Sequence, residues 1–193
     1  NNFDLFIKQN KPEFEWESEG SVVPEDFILS FGDRKINLSG EKRGYQLTQD
    51  DLDYIYSNDV KTAILQVLKA DNILDTKTIS MISVLYHVDF KITHETGKQL
   101  SFYEDMPFVS EKYKSRIFVD EVLLSTLSND AFFNADLGEL LSYLKKDNSI
   151  TFRIITEYNN FMFAEKTFDV PVYVNTVDIK SVYGFNGDLA ISN

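Results

Sequence analysis

The chain has 193 residues, with 31 acidic side chains against 19 Lys and Arg, a formal net charge of -12. That balance argues against a general nucleic-acid binder, which needs clustered cations to neutralise phosphates. A content of 43% hydrophobic and 14% aromatic residues argues against disorder, and no stretch approaches the ~18 consecutive apolar residues of a membrane span.

Cysteine is absent, so disulfides, thiolate nucleophiles and cysteine-ligated zinc are excluded. Its absence suits a bacterial or viral surface protein and equally a cytosolic one. The extracellular, surface or virion setting is the favoured expectation. The first residue is Asn1 rather than methionine, as expected of a processed form or an excised domain.

The first forty residues read as strands. Pro12–Glu19 alternates without a slip, placing Glu13, Glu15, Glu17 and Glu19 on one face and Phe14 and Trp16 on the other. Asp26–Phe31 and Arg34–Leu38 follow as short strands around a Gly32-Asp33 turn. Thr48 with Asp51 three residues later predicts a helix N-terminus, stapled by Leu47 and Leu52. A second helix is expected over about Asn58–Asp71, where Val60, Ala63, Ile64, Val67 and Leu68 form one stripe.

Ile82, Val84, Tyr86, Val88, Phe90 and Ile92 form an alternating row that predicts one long strand. It is joined by a turn at His94–Gly97 to a partner at Gln99–Glu104. Helices are expected at Asp120–Leu127 and Asp136–Lys146, the latter capped by Asp136 with Glu139 behind it. Ile150–Tyr158 and Phe161–Val174 read as a hairpin around Asn159-Asn160, with Pro171 pointing to an edge position or a strand break, and the tail from Gly184 onward reads as irregular.

Together these patterns predict an α+β fold: antiparallel sheet with three or four helices on one face, in a single compact domain over residues 1–193. Ser57-Asn-Asp59, Leu68–Asn72 and Asp105–Phe108 recur in order as Ser128-Asn-Asp130, Leu144–Asn148 and Asp169–Val172. They suggest a degenerate helix-plus-hairpin repeat over about 46–110 and 120–180.

Signatures of chemistry are sparse. The Ser39–Gly44 loop has the wrong order for a phosphate loop. Asp50, Asp51 and Asp53 are accounted for by helix capping rather than calcium. His87 shares a face with Asp89 but has no third ligand at a recognisable spacing, and His94 belongs to a turn. No metal, cofactor or catalytic residue is assigned.

The leading expectation is a non-enzymatic interaction or structural module, of cell-surface or virion type. Its partner is a protein, self-assembly included, rather than nucleic acid, and no transmembrane segment is expected. Glu13, Glu15, Glu17 and Tyr173 are the candidate binding residues, because tyrosine buries area at low entropic cost and a carboxylate ladder steers a basic partner. The alternatives are an acidic inhibitor or mimic that binds a basic protein surface, and a carboxylate-based hydrolase.

Overall fold

The computed structural model describes residues 2–9, 11–20, 23–95, 99–128, 132–174, 179–185 and 188–191. Within them the backbone is mostly antiparallel strand, in four sheets, with three short helices. The expected α+β fold is therefore corrected to a mostly-β one. The chain divides into two compact units, Asn1–His87 and Val88–Asn193.

Unit 1 holds β1 (Asn2–Ile7), β2 (Glu13–Glu19), β3 (Asp26–Phe31), β4 (Arg34–Ser39), β5 (Gly44–Gln46), α1 (Gln49–Ser57), β6 (Thr62–Lys69), β7 (Asn72–Ser80) and α2 (Ile82–Leu85). The strands form two sheets, in the orders β1-β2-β5 and β4-β3-β6-β7. They pack face to face through aromatic side chains. Phe27 of β3 meets Phe3 edge-on at 5.9 Å and Trp16 at 5.3 Å, and Phe14 stacks on Phe31 at 6.5 Å. These rings are essentially inaccessible, as the alternation around Phe14 and Trp16 requires.

Unit 2 holds β8 (Asp89–Glu95), β9 (Gln99–Asp105), β10 (Tyr113–Val119), β11 (Val122–Leu127), β12 (Phe132–Asp136), α3 (Leu137–Leu140), β13 (Ser149–Tyr158), β14 (Phe161–Val174), β15 (Ile179–Phe185) and β16 (Asp188–Ile191). Its sheets run β12-β9-β8 and β11-β10-β13-β14-β15-β16. Phe102 meets Phe152 at 5.0 Å and Phe90 meets Phe168 at 6.4 Å, across the two inner faces.

The two units share one plan. In each, the first, second and fifth strands make one sheet, and the fourth, third, sixth and seventh run side by side in the other, which unit 2 extends with β15 and β16. A helix sits between the fifth and sixth strands. Registers agree as well. The pairs Glu13↔Gln46 and Phe14↔Tyr45 correspond to Ser101↔Asn134 and Phe102↔Phe133, a step of 88 residues. The same step carries the cap Thr48 to the cap Asp136. In both units the hairpin of the sixth and seventh strands carries a bulge beside its turn, at Val67/Leu68 and at Thr156/Glu157. The repeated object is thus a seven-strand unit, not a helix plus a hairpin.

Four segments depart from the sequence reading. Residues 62–69 are a strand: Ala63, Leu65 and Val67 are buried and Ile64 is exposed. The stripe of β-branched and apolar residues fits both periods, and pairing of β6 between β3 and β7 decides it. The row beginning at Ile82 starts with a single helical turn and becomes a strand only at Asp89. Asp120 and Glu121 both take positive φ, 48° and 66°, so they form a hairpin turn into β11 rather than a helix. Residues 136–146 give only α3 and a 3₁₀ turn at Leu141–Tyr143.

At the C-terminal end, the tail expected to be irregular from Gly184 onward holds the last residues of β15 and all of β16. Pro171 lies where β14 passes from pairing with β13 to pairing with β15. Its missing N–H falls on the side of β14 away from β13, just before pairing with β15 begins at Val172. The His94–Gly97 turn includes residues outside those described.

Candidate functional site

Three surface regions bring polar or aromatic groups together. The first follows from the ladder on β2. Glu13, Glu15 and Glu17 do share the outward face, but β2 is the middle strand of its sheet, and Lys8 on the neighbouring chain segment reaches them. Lys8 pairs with Glu15 and lies 3.5 Å from Glu13, and Lys11 lies 2.7 Å from Glu13. Hydrogen bonding to Lys11 holds the Glu13 carboxyl below its ordinary pKa, and Glu15 raises that of Lys8. Glu17 remains exposed. With Glu15, Trp16 and Arg43 it lines a shallow depression of about 450 Å³. Tyr173 lies in β14, opposite Lys180 in register, and its side chain is outside those described.

The second region closes one side of unit 1. Asp51 is buried at the third position of α1. It accepts from Thr48 N at 2.9 Å, Thr48 Oγ1 at 2.8 Å, Tyr45 Oη at 2.7 Å and Arg34 Nη1 at 2.8 Å. Burial works against its ionisation. The Thr48 amide, the Tyr45 and Thr48 hydroxyls and Arg34 outweigh that and hold its pKa below the ordinary value. Burial, seconded by the bond to Asp51, pushes the Tyr45 hydroxyl up to about 12. Tyr54 completes the corner: Arg34 lies 4.6 Å from its ring centre, and its hydroxyl accepts from Asp33 N at 2.9 Å. Gly32, at φ +58°, is required beneath it, because a Cβ there would lie 2.7 Å from that hydroxyl. Asp50 and Asp51, read from the sequence as helix-capping acids, thus also hold Arg34 in a fold-closing network.

The third region was not picked out from sequence as a site. It is the outer face of the β12-β9-β8 sheet. Phe132, Tyr103 and Lys91 lie in one cross-strand row. The Phe132 and Tyr103 rings stack at 6.0 Å, with Phe132 63% and Tyr103 38% exposed. The next positions along β8 and β9 set Asp89 opposite Asp105, both exposed. Like charges directly opposite each other are unfavourable. Asp89, Lys91, Thr93, Tyr103 and Asp105, with Phe90 and Glu104, line a hollow of about 570 Å³. An aromatic shelf beside carboxylates can stack a planar or cationic group and fix its charge. The sequence signal was faint: Tyr103 stood among many tyrosines, and nothing local shows that Phe132 faces out.

His87 is exposed, and among the described residues no group of three metal-ligating side chains converges. Among them, too, no helix is long and apolar enough to cross a membrane.

No family model matches the chain, and no curated protein matches it in sequence. Three solved structures to which it is similar in backbone are as follows. Chicken interferon gamma receptor alpha chain has 6% identity and a TM-score of 0.36, over 88% of this chain and 97% of that one. Domains 3 and 4 of rat CD4 have 10% identity and a TM-score of 0.34, over 84% and 97%. A two-domain fibronectin type III segment of chicken tenascin has 10% identity and a TM-score of 0.33, over 88% and 97%.

Proposed function

We propose that the chain is a non-enzymatic protein-interaction module that engages a partner through the outer face of the β12-β9-β8 sheet. The observation that carries this is the exposed Tyr103–Phe132 stack beside the hollow rimmed by Asp89 and Asp105. Aromatic side chains dominate interface energetics, and a neighbouring pair that stays solvent-accessible is surface held ready for burial. The partner surface that fits is cationic and flat, with electrostatics setting association more than dissociation. The extracellular or surface setting goes with this reading. The test is panning a displayed random peptide library against the full chain. Basic peptides should be enriched, and their binding should fall at least roughly tenfold on Tyr103→Ser or Phe132→Ser. A library giving no ligand sensitive to these changes, or selective binding on a glycan array, overturns the reading.

A second reading keeps the exposed carboxylates of β2 as a steering surface for a basic protein, supported by the net charge of -12 and by exposed Glu17. Replacing Glu13, Glu15 and Glu17 together by Gln should slow association and leave dissociation nearly unchanged. An unchanged association rate would leave the ladder as a solvated face.

A further inference from the structure

The two units finish one and the same location differently. In unit 1 the edge strands β4 and β5 belong to opposite sheets, and α1 starts beside them. Arg34, the first residue after the β3–β4 turn, spans the gap. Its Nη1 donates to Asp51 at 2.8 Å and its Nη2 to Asp50 at 2.7 Å, with the guanidinium over the Tyr54 ring. The chain's own arginine therefore plugs that side of the unit.

In unit 2 the step of 88 residues carries Arg34 to Val122, Tyr45 to Phe133 and Asp51 to Glu139. Val122 pairs with buried Val119, so it belongs to the inward face, yet it is 47% exposed. Glu139 occupies the third position of α3 and is exposed, and among the described residues no Lys or Arg pairs with it. The unit's two arginines are engaged elsewhere: Arg116 pairs with Glu157, and Arg153 with Glu121 at 2.9 Å and Glu165 at 3.2 Å. What remains between β11, β12 and α3 is a cleft of about 310 Å³, lined by Leu124, Phe133, Ala135, Glu139, Leu140 and Tyr143 among others.

We propose that this cleft receives an arginine side chain from a partner protein, with Glu139 taking the guanidinium as Asp51 takes that of Arg34. The walls favour arginine over lysine. A guanidinium is planar, weakly hydrated and stacks on rings such as those of Phe133 and Tyr143, whereas an ammonium is a strongly hydrated point charge. The cleft opens between the sheets and uses the inward-facing Phe133. It is distinct from the outer face that carries Phe132, and the inference stands whatever that face binds.

Two measurements on the full chain test it. First, amide NMR titration with N-acetyl-arginine amide should shift signals of Ala135, Leu140 and Tyr143. N-acetyl-citrulline amide should not, and Glu139→Gln should weaken the arginine probe roughly tenfold. Equal response to citrulline, or indifference to Glu139→Gln, overturns the proposal. Second, Val122→Arg supplies the plug internally. It should raise the melting temperature by about 2–4 °C and abolish binding of the probe, and adding Glu139→Gln should remove the gain. A Val122→Arg protein that folds, is no more stable and still binds the probe overturns it. Should that variant fail to fold, the titration of the wild type and Glu139→Gln decides alone.

Discussion

At the scale of single residues, buried Asp51 accepts four hydrogen bonds, from Thr48, Tyr45 and Arg34. Its folded pKa is held below the unfolded one. Its contribution is therefore fully present above the unfolded value of about 4 and is lost as pH falls through the folded value. Acid titration followed by Trp16 fluorescence should show unit 1 losing stability below about pH 4. Asp51→Asn should flatten that dependence while costing about 2–3 kcal/mol at neutral pH, because Arg34 and Tyr45 lose an ionised acceptor. A variant as acid-sensitive as the wild type would show that other carboxylates set the response. The sign reverses for Tyr45, whose folded value is raised to about 12. Its contribution is present below pH ~10 and is lost as pH rises towards 12. Tyr45→Phe should therefore flatten the alkaline limb, which denaturant titrations at several pH values would reveal.

At the scale of elements, hairpin turns govern register. Asn159 and Asn160 sit at φ 48° and 70°, and Asn tolerates this region better than any side chain without a local polar group. Asn160→Ala should cost about 1–2 kcal/mol, and Asn160→Gly close to nothing. Equal effects in urea melts would mean that backbone conformation is not what this turn selects for. This hairpin was legible in the sequence, as were the Thr48–Asp51 cap and the buried pair Phe14 and Trp16, because each is fixed by local chemistry. The Asp136 cap was also legible, though not that it stands one repeat after Thr48. Segments 62–69 and 120–127 were not legible. Their apolar spacing satisfies a helix and a strand alike, and pairing with other strands chooses between them: β3 and β7 for the first, β10 across the Asp120-Glu121 turn for the second. The outer-face shelf was hidden for the same reason, since Tyr103 meets Phe132 only through the β9–β12 register.

At the scale of the whole molecule, a strand-dominated backbone should give a far-UV circular dichroism spectrum of β type, and a mainly helical one would contradict the topology. Pairings such as Phe14↔Tyr45 and Phe102↔Phe133 close long loops. Refolding is therefore expected on the millisecond-to-second scale, checked by stopped-flow fluorescence of Trp16. Single-phase recovery within microseconds would contradict it. The 88-residue step has a kinetic side too. Two successive stretches of one chain that build the same sheets could trade strands while both are unfolded, the usual failure of tandem arrays. Between residues 13–57 and their equivalents only Phe14/Phe102 and Leu52/Leu140 are identical. Over Glu13–Glu19, β2 shares only Phe14 with the stretch one step on, and a swap would set Glu104 in the place of buried Trp16. Dissimilar side chains on a shared backbone plan make each strand a poor substitute for its counterpart, so divergence itself keeps the two halves from misassembling.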